Sequence, residues 1–205
     1  MTKSARFGRK SSYASRVLRY TRLMILAPAA ILAACAQGAP SEPPSRMSLG
    51  QPTPPPVGSV LFCRQNPGEC SRELPGAQEA AMTPELRKEL RTVQYEVNRQ
   101  LTPTEAREIA WHYAKDGRAT CVQYALEKRR RLIESGFPAG ALQLVTAVVP
   151  GEVGHLVLVV DTTDGDWVLD NLRTDIARWD DLPYRWIARQ DGASMLKWVA
   201  VTSRG

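Results

Sequence analysis

The stretch Leu142–Asp170, LQLVTAVVPGEVGHLVLVVDTTDGDWVLD, decides the fold. Leu142 to Val149 is rich in β-branched and apolar residues, Pro150-Gly151 is a turn signal, and His155 to Asp161 is a second extended run. Thr162-Thr163-Asp164-Gly165 then reads as a hairpin turn into Asp166 to Asp170. Three extended segments joined by short turns predict an antiparallel sheet.

Upstream the apolar period is helical. Thr83-Pro84-Glu85 opens a helix with a capping Thr and a Pro at the first helical position, followed by Leu86, Leu90, Val93 and Val97. Thr102-Pro103-Thr104-Glu105 predicts a second helix start, with Ala106, Ile109, Ala110 and Tyr113 behind it and a stop at Asp116-Gly117. A third helix starts around Thr120 or Cys121 and runs through Leu132 and Ile133 to Ser135-Gly136-Phe137-Pro138. Downstream, Trp179, Leu182, Tyr184, Trp186, Ile187 and Trp198 are expected in the core, ending in a terminal strand. N-terminal helices followed by an antiparallel β-sheet predict an α+β domain.

The amino-terminal third reads differently. The 205 residues carry a formal charge of +6, yet residues 1–35 hold seven basic and no acidic groups, which leaves 20 basic against 21 acidic residues in the remainder. Apart from Lys128 to Arg131, read as a solvated helix face, the rest has no basic footprint, so no nucleic-acid partner is expected. The basic start runs into Leu23 to Ala34, an apolar run of signal-peptide length, too short for a membrane span of about 20 residues. Leu32-Ala33-Ala34-Cys35 resembles a bacterial lipobox, with Cys35 as the lipidated first residue of the mature chain; ordinary cleavage nearby and an uncleaved anchor are the alternatives. Ala36, rather than Asp, after that cysteine resembles outer-membrane sorting in Gram-negative bacteria. Residues 40–56 contain seven prolines and read as a stiff tether. The expected organisation is a signal peptide with lipobox over 1–35, a Pro-rich linker over 36–56 and one domain over 57–205.

Export implies an oxidising compartment. Cys63 and Cys70 enclose Arg64-Gln65-Asn66-Pro67-Gly68-Glu69, whose Pro-Gly turn brings the ends together, so a local disulfide is expected. Two free thiols or a metal pair are the alternatives, the latter weakened because the chain has two histidines, His112 and His155. Cys121 is left over at a helix start, where the peptide dipoles favour a thiolate. His155 opens an apolar strand where a polar ring is unexpected, and Asp170 ends the strand folded back beside it. Antiparallel neighbours lie about 4.8 Å apart, so His155 and Asp170 can be lateral or diagonal partners. A thiol, an imidazole to move its proton and a carboxylate to hold the ring make a nucleophilic site. Trp111 and His112 read as packing or surface residues.

The segment GRATCVQYALEKR at 117–129, with Leu132, Gly136-Phe137-Pro138, Leu142, Leu144, Gly154-His155-Leu156-Val157-Leu158 and Val168-Leu169-Asp170-Asn171, resembles the bacterial transglutaminase-like cysteine proteinases, the group that includes the LapG-type periplasmic proteases. The likeness runs from about Phe62 to Trp198 and includes Val97-Asn98 and the Cys63 to Cys70 segment. It implies a papain-like, transglutaminase-type core with Cys121 as nucleophile, His155 as general base then acid, and Asp170 as the orienting carboxylate. Family members usually read Gly-Asp-Cys-Glu-Asp at the nucleophile, where acidic groups help LapG-type enzymes bind calcium. Here Thr120, Val122 and Gln123 take those places, so the expectation is no calcium and no other cofactor.

The resulting expectation is an exported, lipid-anchored cysteine peptidase acting on protein substrates in the cell envelope, in the periplasm and tethered to the outer membrane. The alternative is a catalytically weakened or inactive lipoprotein binding or assembly module on the same fold, suggested by the altered flanks of Cys121. A redox protein is disfavoured, since no Cys-x-x-Cys occurs.

Overall fold

The computed structural model describes residues 44–70, 79–105, 109–192 and 194–202, all within one compact unit, Glu42–Gly205. The expected signal segment 1–35 and Cys35 lie outside the described residues. The chain forms β1 (Ser48–Thr53), α1 (Val57–Gln65), α2 (Pro67–Cys70), α3 (Pro84–Gln100), β2 (Thr102–Pro103), β3 (Arg118–Ala119), α4 (Cys121–Glu134), β4 (Leu142–Val149), β5 (Val153–Thr162), β6 (Gly165–Leu169), β7 (Ala177–Arg178), β8 (Arg185–Gln190) and β9 (Trp198–Thr202).

Seven of these strands form an antiparallel sheet in the order β1-β9-β8-β4-β5-β6-β7. Its centre is the stretch quoted first: β4 and β5 pair with Leu144 opposite Leu158, and β5 and β6 pair with Leu158 opposite Leu169. Thr162 faces Gly165 across the hairpin end. Gly165 has φ of +95°, and a Cβ there would lie 2.4 Å from the carbonyl oxygen of Ser45, so this turn excludes a side chain twice over.

Both sheet faces are covered, which is why the central strands are nearly uniform apolar runs. On one face Leu142, Leu144, Leu156, Leu158 and Val160 pack with Leu90, Val93 and Val97 of α3 and Tyr124, Leu126 and Leu132 of α4. On the other, Val145, Val157, Val159 and Val168 pack with Met47, Trp179, Leu182 and Val201. The downstream core expectation holds for Trp179, Leu182 and Trp198; Tyr184 and Trp186 are half-buried, and Ile187 is exposed.

Three further expectations are corrected. First, the tether over 36–56 is not wholly a tether: Ser48–Thr53 is an edge strand paired with β9, with Leu49 opposite Val201 and Thr53 opposite Trp198. Proline is tolerated at a sheet edge, so Pro52 does not prevent the pairing. Second, the helix expected to begin at Thr102 does not form over the described part of that segment. Thr102 N–H bonds Gly117 O at 2.7 Å and Thr104 N–H bonds Ala119 O at 2.9 Å, which makes β2 and β3 a short parallel pair. Asp116 and Gly117, with φ of +56° and +71°, turn the chain into β3. Third, Lys128 and Arg129 are buried, so the run Lys128 to Arg131 is solvated only in its second half, where Arg130 and Arg131 bond Glu127 at 2.8 and 3.1 Å.

Cys63 and Cys70 form a disulfide joining α1 to α2. Trp111 is core, edge-on to Trp198 with ring centroids 6.2 Å apart.

Candidate active site

Cys121 is the first residue of α4, and the residues around it explain why the helix begins there. Thr120 is the N-cap: its hydroxyl accepts the Val122 N–H at 3.3 Å, and its own N–H donates to Gln123 Oε1 at 2.7 Å. This is a capping box built without charge, with Thr120 and Gln123 satisfying helix-end groups that water would otherwise have to reach. The helix aims its N-terminus at the start of β5, so the peptide dipoles reinforce the anionic form of the thiol.

His155 lies near the start of β5, opposite Ala147 of β4. Asp170 directly follows β6. Continuing the β5–β6 register places Asp170 beside Val157, two residues along the strand from His155, so the two are diagonal neighbours. His155 Nε2 stands 2.7 Å from Asp170 Oδ1, with both side chains almost fully buried. Cys121 and His155 line the same cleft, close enough that each acts on the other's titration. Thiol and ring thus meet at one cleft, and ring and carboxylate are hydrogen-bonded. A cleft of about 730 Å³ opens over Cys121 and His155, with Asp170 closed off behind them.

Burial alone would push the Cys121 thiol up. The hydrogen bond and charge of His155, with the backbone N–H groups of Leu156 and Val122, outweigh that and hold it below the ordinary thiol range. For His155, burial pulls down, but bonds to Asp170 and Cys121 and their negative charges win and raise it to about 9. Asp170 is likewise pushed up by burial and drawn further down by His155, the Leu172 N–H and Tyr184, so it stays a carboxylate. The arrangement suits a thiolate–imidazolium pair.

Several supporting residues gave no signal in the sequence. Tyr184, expected only as core, donates its hydroxyl to Asp170 Oδ2 at 2.6 Å, and its ring meets His155 edge-on with centroids 6.1 Å apart. The Leu172 N–H donates to Asp170 Oδ1 at 2.9 Å. Gln94 and Asn98 of α3 hold the Asp170 loop from behind, by bonds to its backbone at 2.7 and 3.2 Å. Tyr184, Asn98 and Gln94 lie 14 to 76 residues from Asp170 in sequence, beyond the reach of any local pattern. His112 is half-buried, with Nδ1 2.7 Å from Tyr113 O and Nε2 3.4 Å from Gln123 Nε2.

The family model for the bacterial transglutaminase-like cysteine proteinases matches residues 49–205. The chain belongs to that family. The family is one of cysteine proteinases, and the chain's transglutaminase-like α+β fold is shared with a solved LapG structure from Legionella pneumophila. The calcium-bound LapG superposes with a TM-score of 0.51 at 20% identity, covering 61% of this chain and 74% of that one. A second LapG structure gives 0.45 at 22% identity, covering 54% and 66%. No curated protein matches.

The calcium-bound LapG overturns the expectation that this chain takes no calcium and no other cofactor. That expectation was drawn from the uncharged Thr120, Val122 and Gln123 alone. Calcium also accepts backbone carbonyls, hydroxyls and water at 2.3–2.6 Å, so loss of carboxylates beside a nucleophile does not exclude it. Among the described residues no three His, Cys, Asp or Glu side chains converge as a metal cage. No cation ligands are therefore assigned, and no chemical step is routed through a metal.

Proposed function

We propose that this chain is an exported cysteine peptidase that cuts proteins of the cell envelope through Cys121, His155 and Asp170. The reading is carried by one observation: the Cys121 thiol shares an open cleft with an imidazole whose Nε2 lies 2.7 Å from the buried Asp170 carboxylate.

In this reading the Cys121 thiolate attacks the scissile carbonyl carbon, forming a C–S bond, while the carbonyl oxygen takes the negative charge. The Cys121 backbone N–H, at the free start of α4, is a donor for that oxygen. As the tetrahedral species collapses and the C–N bond breaks, His155 gives its proton to the departing amine. Water then loses a proton to His155 and attacks the thioester, releasing the acid and restoring the thiolate–imidazolium pair. Asp170 holds the ring's tautomer and orientation throughout, and Tyr184 holds Asp170.

Export and anchoring rest on the sequence. The basic, acid-free start, the apolar run and Leu32-Ala33-Ala34-Cys35 support a lipidated Cys35, a periplasmic domain and the outer membrane of a Gram-negative bacterium. No helix among the described residues is long and apolar enough to cross a membrane.

The test is alkylation of the full chain by iodoacetamide. Cys121 should react near pH 6 much faster than a free thiol, and His155→Ala should abolish that advantage. Indifferent labelling would sink the peptidase reading and leave the binding module. Comparing envelope proteomes of cells carrying wild type and Cys121→Ala then identifies the substrate. Cys35→Ala should release the chain from membranes. Calcium enters by measurement: the Tm of the full chain with calcium against EGTA reports a site by a rise.

A further inference from the structure

Behind the cleft, α3 clamps the loop that carries Asp170 with two side-chain amides, and α4 carries a fully buried lysine. On α3, Gln94 and Asn98 stand one turn apart, and both side-chain amides donate to the same two carbonyls. Gln94 Nε2 reaches Asp170 O at 2.7 Å and Arg173 O at 2.8 Å; Asn98 Nδ2 reaches them at 3.2 and 2.9 Å. On α4, Lys128 follows Cys121 and Tyr124 at helical spacing, so it shares the face that carries the thiol. Lys128 has no exposed surface, its Nζ makes no hydrogen bond, and the nearest ring is that of Tyr124, with its centroid 5.9 Å away. The amide oxygens of Gln94 and Asn98 are buried and unpartnered as well.

A lysine in such a place is unfavourable unless its charge is used, because burying an amine without partners opposes folding and an apolar side chain of similar length would pack better. Of the described groups that titrate, Asp170 is the one whose charge acts on Lys128; α3 presents the uncharged amides of Gln94 and Asn98, and α4 itself the Tyr124 ring. This lysine is not among the residues proposed to do the chemistry.

We propose that Lys128 is a positioning residue that acts through Asp170: its ammonium, buried and unpartnered on the face of α4 that carries Cys121, acts on the carboxylate of the loop that Gln94 and Asn98 clamp, and sets the potential felt by His155 and Cys121. The proposal deepens the peptidase reading and rests on it. A positive charge there favours the Asp170 carboxylate and the Cys121 thiolate over their neutral forms. Burial pulls the Lys128 amine down to about 7, with Asp170 opposing, so the charge is present on the acid side of neutrality and fades on the alkaline side.

The experiment is the pH profile of Cys121 alkylation by iodoacetamide in the full chain, wild type against Lys128→Met. The acid limb, where the thiolate forms, should move up by about half a unit or more in Lys128→Met, while the alkaline limb stays in place. Coincident limbs with a smaller plateau would mean a packing role and overturn the proposal. A second measurement does not require Lys128→Met to fold: NMR titration of the Lys128 Nζ in wild type and in Asp170→Asn. Loss of the carboxylate should lower the Lys128 titration, and an unchanged titration overturns the coupling. A wild-type profile with no His155-dependent acid limb would instead defeat the peptidase reading itself, so the two failures are distinct.

Discussion

The Tyr184 hydroxyl donates to Asp170 Oδ2 at 2.6 Å, on the oxygen that His155 leaves free. Asp170 therefore has one oxygen for the ring and another for the phenol, and its orientation is fixed from two sides. Tyr184 itself is pushed above the ordinary phenol range, by burial first and then by the carboxylate, so it remains a donor at every physiological pH. Tyr184→Phe removes that bond and nothing else of the ring. Hydrogen bonds to charged groups contribute about 1.5–3 kcal/mol, so kcat/KM, or the alkylation rate of Cys121, should fall about 10-fold or more with the fold retained. An unchanged rate would show that Asp170 needs no second anchor.

The reactive pair should have a defined pH window. Cys121 is held below the ordinary thiol range and His155 is raised to about 9, so the thiolate–imidazolium pair exists between the two titrations and is lost as pH climbs through about 9. The two shifts act in opposite senses on stability. The raised imidazole contributes stability below its unfolded value of about 6.5, lost as pH rises through about 9; the lowered thiol contributes stability above about 8.5, lost as pH falls through its folded value. Between the folded Cys121 value and about pH 8.5 the two slopes oppose each other. Peptidase activity should accordingly trace a bell whose alkaline limb lies near pH 9, measured by kinetics, and a limb that does not move in His155→Gln would sink the assignment.

How much of this was legible in the sequence depended on distance along the chain. The β4–β5–β6 meander could be read because its partners are consecutive and their turns are short, and α4 could be read from Thr120 and the stop at Gly136. The meeting of His155 and Asp170 followed from hairpin geometry, which left lateral and diagonal contact open; the Leu158–Leu169 register gives the diagonal one. The contacts of Tyr184, Gln94 and Asn98 with Asp170 could not be read, since each reaches it from another element through the sheet or helix layer; Asn98 entered only through the family resemblance. Lys128 looked solvated because it sits among charged neighbours, although its helical phase is that of Cys121. The segment after Thr102 carried helix-start residues, but backbone pairing with Gly117 and Ala119 outweighed that propensity.

The disulfide joining α1 to α2 closes a short loop, with a sequence separation of 7. Loop-closure entropy for a ring of that size corresponds to about 2.5 kcal/mol. Cys63→Ser with Cys70→Ser should lower stability by roughly that amount and leave Cys121 alkylation at low denaturant unchanged. Urea unfolding of the double variant, set against the parent with and without reductant, measures it.

Gly58 of α1 lies under Trp111. A Cβ at this position would stand 2.2 Å from the Trp111 ring and 2.6 Å from the carbonyl oxygen of Ile109, closer than any side chain tolerates. Trp111 cannot swing aside cheaply, because it is 6% exposed and packed edge-on to Trp198 of β9. Gly58→Ala should therefore destabilise by about 1–3 kcal/mol, read as a lower urea midpoint. A midpoint equal to wild type would mean that α1 can shift without loss.

The edge strand β1 decides where this domain starts. Composition placed the boundary at Val57, yet Leu49 and Thr53 pair with Val201 and Trp198 of β9, and Met47 is buried against Val157 and Val159. The Met47 N–H also donates to Asp166 Oδ2 at 2.8 Å, on a carboxylate that Arg189 Nη1 meets at 3.1 Å. A chain beginning at Val57 would strip the partner from β9, uncover Val201 and remove a donor from a buried carboxylate. An unpaired apolar edge is a template for association between molecules. The shortened chain should thus aggregate or melt several degrees lower than one beginning at Pro44, by light scattering and calorimetry. Equal behaviour of the two would return residues 44–56 to the tether.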